Sequence, residues 1–308
     1  MSFQTRVNGK WILTGEHAVL RGAPALVFPL YSRHLDFSFD PNARSSKSSS
    51  KDVLQLELQG EHGEELQLLF WGVLEKACSL RKIYRQEIRG LVKMSSTIPV
   101  GAGLGASAAL SVAVAKWFQY LKVLNESELL EFSRQLENLF HGESSGVDLA
   151  VALSGKPLKF VRPGSMATNN FQTFLMPTWS PRWYVSYSGK RGVTMECVNK
   201  VKQLIQNDPQ LGQKIDHDMA KAVEMSEAAL LSNPEKGLPL LADAIELARS
   251  CFDHWGLSAG NVEQHMAWLK IQGAIATKPT GSGNGGYVLS LWDRPPSREA
   301  QVKLIPCF

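Results

Sequence analysis

A mixed protein of strands and helices, folded as two lobes with a cleft between them, is what this sequence predicts on three observations. The chain has 308 residues, more than the roughly 100 to 150 that a single hydrophobic core usually serves. Segments with two-residue and with helical hydrophobic periodicity follow one another along it. Turn chemistry at residues 179–181, just ahead of a strand-like run, marks a boundary. The lobes are therefore expected at residues 1–180 and 181–308, to within about four residues.

The elements follow in order. Residues 10–13 form a short β-like run ended by Gly15, and 25–30 a second strand after the turn at Gly22 and Pro24. Residues 34–39 alternate as a strand does, and the tract 45–51, SSKSSSK, has the composition of a surface loop. Residues 53–58 alternate again, 66–80 carry helical spacing, and 87–94 return to a strand. A buried helix is expected over 107–121 and another over 127–141 with Ser127 as its N-cap, then a short one from near Ser145. Beyond the boundary, 183–187 reads as a strand, 195–206, 215–231, 238–255 and 262–271 as helices, and 273–277 and 287–292 as strands flanking a glycine run.

Composition excludes several classes. Hydrophobic residues at 44% and charged residues at 20% belong to a folded globular chain rather than a disordered one. A net charge of +4, spread along the sequence, is too small for a nucleic-acid footprint. Cys78, Cys197, Cys251 and Cys307 lie far apart without metal or redox spacing, so they read as free thiols in a reducing compartment. The N-terminus has no signal-peptide pattern, which leaves the cytoplasm as the expected location. Between Lys93 and Lys116 lie 22 uncharged residues, enough to raise a membrane span. Pro99, Gly101, Gly103 and Gly105 would break its first half, and residues 106–117 are too short to cross, so no membrane partner is expected.

The segment IPVGAGLGASAAL sets a proline and three glycines directly before a helix, where backbone N–H groups and the positive helix end can face an anion such as a triphosphate. It lacks the Gly-Lys-Ser/Thr of a Walker loop and the third glycine of a dinucleotide fingerprint. Taken by itself, such a run reads equally well as a tight packing turn.

Pro99, Gly103, Leu104, Gly105, Ser107, Ala108 and Ala109 resemble the central phosphate motif of the galacto/homoserine/mevalonate/phosphomevalonate (GHMP) kinases. GKWILTGEHAVLRGAPAL, with Lys10, Gly15, Glu16, His17, Ala18, Val19, Gly22 and Ala25, is similar to their first motif in its mevalonate-kinase form. KPTGSGNGGYVL, with Lys278, Thr280, Gly281, Gly283, Gly285 and Gly286, resembles the third. ENLFHGESSGVDLAV is similar to the segment that supplies a magnesium-binding glutamate and the catalytic aspartate, here Glu137 and Asp148.

The resemblance implies an α+β fold with an N-terminal phosphate-binding lobe, a ferredoxin-like C-terminal lobe and the active site between them. It implies an ATP-dependent kinase that uses Mg²⁺ and acts on a small-molecule alcohol, most like mevalonate kinase. Asp148 is then the base and Lys10 its charge partner. Ser96, Gly101, Ala102, Gly103, Leu104, Gly105, Ala106 and Ser107 contact nucleotide, and Ser107 with Glu137 holds the metal. Glu16, His17, Thr194, Gly281 and Ser282 meet the substrate. These types suit phosphoryl transfer, which depends on positioning and charge neutralisation, and Mg²⁺, which takes hard oxygen ligands and keeps several waters.

Three alternatives stay open: a phosphomevalonate kinase using Arg21, Lys190 and Arg191 for a second phosphate, another kinase of the family, and a non-catalytic nucleotide sensor. A homodimer is left open too. The sequence departs from the family pattern at Ala106, Ser144, Lys156 and Asn284. It departs again after Lys190, where Arg191, Gly192, Val193 and Thr194 replace an Arg-Ser-Thr run.

Overall fold

The computed structural model describes residues 2–43, 54–60, 63–141, 145–161, 170–174 and 179–308. The serine-rich tract at 45–51 and Ser144 lie outside the described residues. By contacts the chain divides into two compact units that interleave along the sequence. One comprises Met1–Gly9, Arg33–Val100 and Gly105–Gly155, the other Lys10–Ser32, Gly101–Leu104 and Lys156–Phe308.

The first unit takes the start of β1 (Phe3–Thr14) and the second half of β2 (Pro24–Asp40), then β3 (Leu54–Gln59), α1 (Gly63–Arg81), β4 (Gly90–Ser96), α2 (Ala106–Tyr120), α3 (Leu129–His141) and α4 (Val147–Ser154). β4 runs antiparallel to β2, Leu35 opposite Ser96 through Asp40 opposite Leu91, and parallel to β3. Leu35, Phe37 and Phe39 alternate onto one buried face. Phe37 meets Trp117 of α2 at 5.5 Å and Phe70 of α1 at 6.3 Å between ring centroids. Trp117 is wholly buried, so truncation to alanine there should cost about 3–5 kcal/mol. α2 packs on α1, α3 and α4.

The second unit holds the first half of β2, β5 (Leu158–Val161), β6 (Asn170–Thr173), β7 (Arg182–Tyr187), α5 (Thr194–Asn207), α6 (Pro209–Leu231), α7 (Pro234–His254), α8 (Asn261–Ile271), β8 (Ala276–Thr280), β9 (Tyr287–Trp292), α9 (Arg298–Gln301) and β10 (Ile305–Pro306). β5 pairs antiparallel with Pro24–Val27 of β2 and carries β6 on its other edge. A second, antiparallel sheet has the order β10-β7-β9-β8. Trp11 stacks on Phe28 at 4.7 Å and meets Trp183 edge-on at 5.0 Å. α6 and α7 each begin with a proline at the first position behind a capping side chain. Asp208 accepts from the Leu211 N–H and Asn233 from the Lys236 N–H, both at 3.0 Å.

Several expectations need correction. The runs at 25–30 and 34–39 are one strand, β2. The break in hydrophobicity from exposed Tyr31 to His34 falls where the strand passes from the core of one unit to that of the other. β1 reaches back to Phe3, because ladder hydrogen bonds do not require the apolar side chains that marked residues 10–13. Residues 85–87 form a single 3-10 turn, and β4 begins only at Gly90. Ser127 is not an N-cap: it lies inside a 3-10 turn (Glu126–Glu128), and Asn125 is the capping residue, its N–H donating to the Glu128 carboxylate at 2.9 Å. The strand expected at 273–277 is displaced to Ala276–Thr280, since Gly273, at φ 105°, ends α8. The shift puts Lys278 and Thr280 on a buried strand rather than in a loop. Among the described residues no helix is long and apolar enough to cross a membrane; the uncharged stretch ends in α2, which has 15 residues.

Candidate active site

The phosphate loop owes its shape to glycine. Gly101, Gly103 and Gly105 stand at φ 70°, 84° and 84°, a left-handed region costing other L-residues roughly 1–2 kcal/mol each. The loop ends at Gly105, which provides no side-chain cap, and the first intrahelical bond of α2 runs from Ala109 N–H to the Gly105 carbonyl at 2.9 Å. No acidic residue occupies the first turn of α2. Its leading amides and the helix dipole therefore favour an anion there.

Residues 101–104 are braced within the second unit. Lys10 N–H donates to the Leu104 carbonyl at 2.9 Å. The third glycine segment presses backbone to backbone on the loop: a Cβ at Gly281 would lie 3.4 Å from the Gly103 carbonyl oxygen, and one at Gly286 only 2.9 Å from that of Ala102. Asn284 stands at φ 54°, which asparagine tolerates, and its N–H reaches the Leu257 carbonyl. This departure from the family pattern thus leaves the segment its tight turn. Arg191 passes beside the loop, its Cδ 3.9 Å from the Cβ that Gly101 lacks.

The first motif packs against the same segment. Glu16 and Lys278, both buried, form an ion pair between Oε1 and Nζ. Burial pushes the Glu16 carboxyl up and the Lys278 ammonium down, and each partner opposes the shift of the other. Thr280 Oγ1 accepts from the Ile12 N–H and donates to the Ile12 carbonyl, both at 3.0 Å, locking β8 to β1. His17, at φ 56°, donates from Nε2 to the Ser282 carbonyl at 2.9 Å and lies edge-on to Trp255 and Phe252 at 5.0 and 5.9 Å. Burial lowers its pKa to about 4, so the ring is neutral near pH 7. Thr194, first residue of α5, donates to the Ser282 hydroxyl at 3.4 Å. Lys10, Glu16, His17, Thr194, Gly281, Ser282 and residues 101–104 thus all belong to the second unit.

The first unit holds Ser96, Gly105, Ala106, Ser107, Glu137 and Asp148. Ser107 is in the first turn of α2, Glu137 is buried on α3, and Asp148 is half-buried in the first turn of α4, three helices that pack together. Ser96 is buried, and its Oγ accepts from the Ile98 N–H at 3.1 Å, shaping the turn into Pro99. A hydroxyl and a buried carboxylate are hard oxygen donors, and two of them suit an ion that takes its remaining ligands from phosphates and water.

Reading the sequence motif by motif passes over Lys278 as a side chain with a partner, and over Asp216. Arg21 is held by Asp216 through two hydrogen bonds of 2.5 Å. The signal for Lys278 was present, a charged residue in an apolar run ahead of the third glycine segment; for Asp216, 195 residues from Arg21, there was none.

The model of the GHMP kinases N-terminal domain matches residues 69–156, from α1 through α4. That stretch is similar to the N-terminal domain of the GHMP kinases, and the chain is an ATP-dependent small-molecule kinase. Along nearly its whole length the chain is similar to mevalonate kinases. It is 27% identical to the mevalonate kinase of Thermococcus sibiricus and 28% to that of Thermococcus onnurineus, in each case across 95% of this chain and 89% of the relative. The crystal structure of L. major mevalonate kinase in complex with R-mevalonate has the same fold, with a TM-score of 0.74 at 20% identity, covering 98% of this chain and 89% of that one.

Proposed function

We propose that this kinase transfers the γ-phosphate of ATP to the primary hydroxyl of (R)-mevalonate, giving 5-phosphomevalonate for isoprenoid precursor synthesis. The observation that carries the reading is the likeness to archaeal mevalonate kinases along 95% of the chain. In this reading the amides of residues 101–107 grip the phosphates, with Ser96 also at the nucleotide. Asp148 accepts or orients the proton of the attacking hydroxyl, and Lys10 keeps that carboxylate ionised and offsets developing charge. Ser107 and Glu137 hold Mg²⁺, which when bound neutralises charge on the phosphates. Glu16, His17, Thr194, Gly281 and Ser282 line the alcohol. The lobes remain proposed at 1–180 and 181–308, and the location proposed is the cytoplasm, in keeping with four buried cysteines outside any disulfide.

Arg21 bears on the phosphomevalonate alternative. Its guanidinium already serves Asp216 in bidentate fashion, so binding a second phosphate would sacrifice that pair. A coupled ADP-release assay across mevalonate, phosphomevalonate, galactose and homoserine tests the proposal, and mevalonate should give the highest kcat/KM. Preference for any other alcohol, or tight ATP binding without turnover, would overturn it.

A further inference from the structure

Several arginine–carboxylate pairs among the described residues use both carboxylate oxygens. Asp216 gives one to each of two Arg21 nitrogens, and Glu131 does the same for Arg134. Glu16 differs. Its Oε1 meets Lys278, while Oε2 is buried and has no hydrogen-bond partner among the described residues. A buried acceptor left unsatisfied carries a desolvation cost that a native fold seldom leaves uncompensated.

Lys278 is unusually well fixed. Its side chain is fully buried, its ammonium lies 3.4 Å from the Ile12 carbonyl as well as against Glu16, and it stands 5.4 Å from the centroid of the Phe252 ring. β8 itself is locked to β1 through Thr280 and Ile12. The ammonium is therefore a rigid post, and Glu16 can turn only about the contact it makes there.

We infer that Lys278 is a positioning residue, which fixes Glu16 through Oε1 so that Oε2 accepts a hydrogen bond from a non-reacting hydroxyl of the alcohol substrate. Held against the Lys278 ammonium, with Lys10 also acting on it, the carboxylate presents Oε2 as an acceptor for a substrate hydroxyl. The inference rests on the mevalonate reading, in which Asp148 takes the reacting primary hydroxyl; the tertiary hydroxyl at C3 is then the donor left for Glu16.

The test compares kcat/KM for mevalonate and for its analogue without the C3 hydroxyl, 5-hydroxy-3-methylpentanoate, in the native enzyme, Glu16→Gln and Lys278→Met. A hydrogen bond to a charged group corresponds to a preference of between about tenfold and 150-fold. The native enzyme should prefer mevalonate within that range, and both variants should bring the preference below about threefold. A ratio between two substrates is insensitive to the general loss of activity that a merely structural role would produce. If Lys278→Met does not fold, Glu16→Gln and Lys278→Gln decide by the same ratio. An unchanged ratio in folded variants overturns the inference and leaves the proposed function standing. A native enzyme that does not phosphorylate mevalonate overturns both.

Discussion

His17 and Ser282, 265 residues apart in sequence, are joined by a 2.9 Å hydrogen bond from the imidazole Nε2 to a backbone carbonyl. The bond commits the ring to the tautomer protonated at Nε2, and its edge-on packing against Trp255 removes it from water. The first and third motifs are thereby held as one piece of the second unit.

A pH dependence of stability follows. The folded-state pKa of His17, about 4, lies below the ordinary 6.5, so the unfolded chain binds a proton that the native ring refuses. The contribution is complete above pH 6.5 and is lost as pH falls toward 4. Near pH 5 the loss should be about 2 kcal/mol. Asparagine tolerates the left-handed backbone at this position, so His17→Asn should lose less stability than the native protein between pH 7.5 and pH 5 in urea unfolding. Equal losses would show that His17 does not titrate in this way.

Gly286→Ala should weaken nucleotide use. A methyl there would come within 2.9 Å of the Ala102 carbonyl oxygen, at φ 73°, and push the phosphate loop. KM for ATP should rise by about tenfold, roughly 1.4 kcal/mol, with KM for the alcohol much less affected. Gly22→Ala is the control: at φ 94° with no atom within 4 Å of the added methyl, it bears local strain only. Steady-state kinetics of the two variants separate the cases.

Asp148→Asn keeps the shape of the side chain in the first turn of α4 and removes the proton acceptor. Turnover should fall by about 10² to 10⁴. Nucleotide affinity, read by a fluorescent ATP analogue, should stay near its native value. Near-native turnover would remove the proposed role.

Glu137 is 1% exposed on α3, and Glu137→Gln preserves its volume while discarding the charge. The Mg²⁺ concentration for half-maximal activity should increase by about tenfold or more, as expected for loss of a hard anionic ligand. A magnesium titration unchanged from the native enzyme would exclude Glu137 as a metal contact.

The glycine loop was legible because its signal is local. Three glycines at alternate positions before an apolar helix need no knowledge of the remaining chain, and all three do adopt left-handed backbone. The helices α5 to α8 were legible for the same reason, as periodicity reports a face. β5, β6 and β10 were not: each has four residues or fewer, and such short strands are chosen by the edge they join. The continuity of β2 was hidden by polar residues at its middle, where hydrophobicity follows two cores while the backbone follows one ladder.

By itself, the sequence determined the ordered motifs, the residue types able to bind phosphate and metal, and the turns that only glycine permits, because each depends on neighbours a few positions away. Only the tertiary structure decided which charges meet: that Lys278 takes one oxygen of Glu16, that Asp216 occupies Arg21, and that His17 is buried and neutral. These pairings join residues hundreds of positions apart, and their strength comes from exclusion of water, which exists only once the chain has packed.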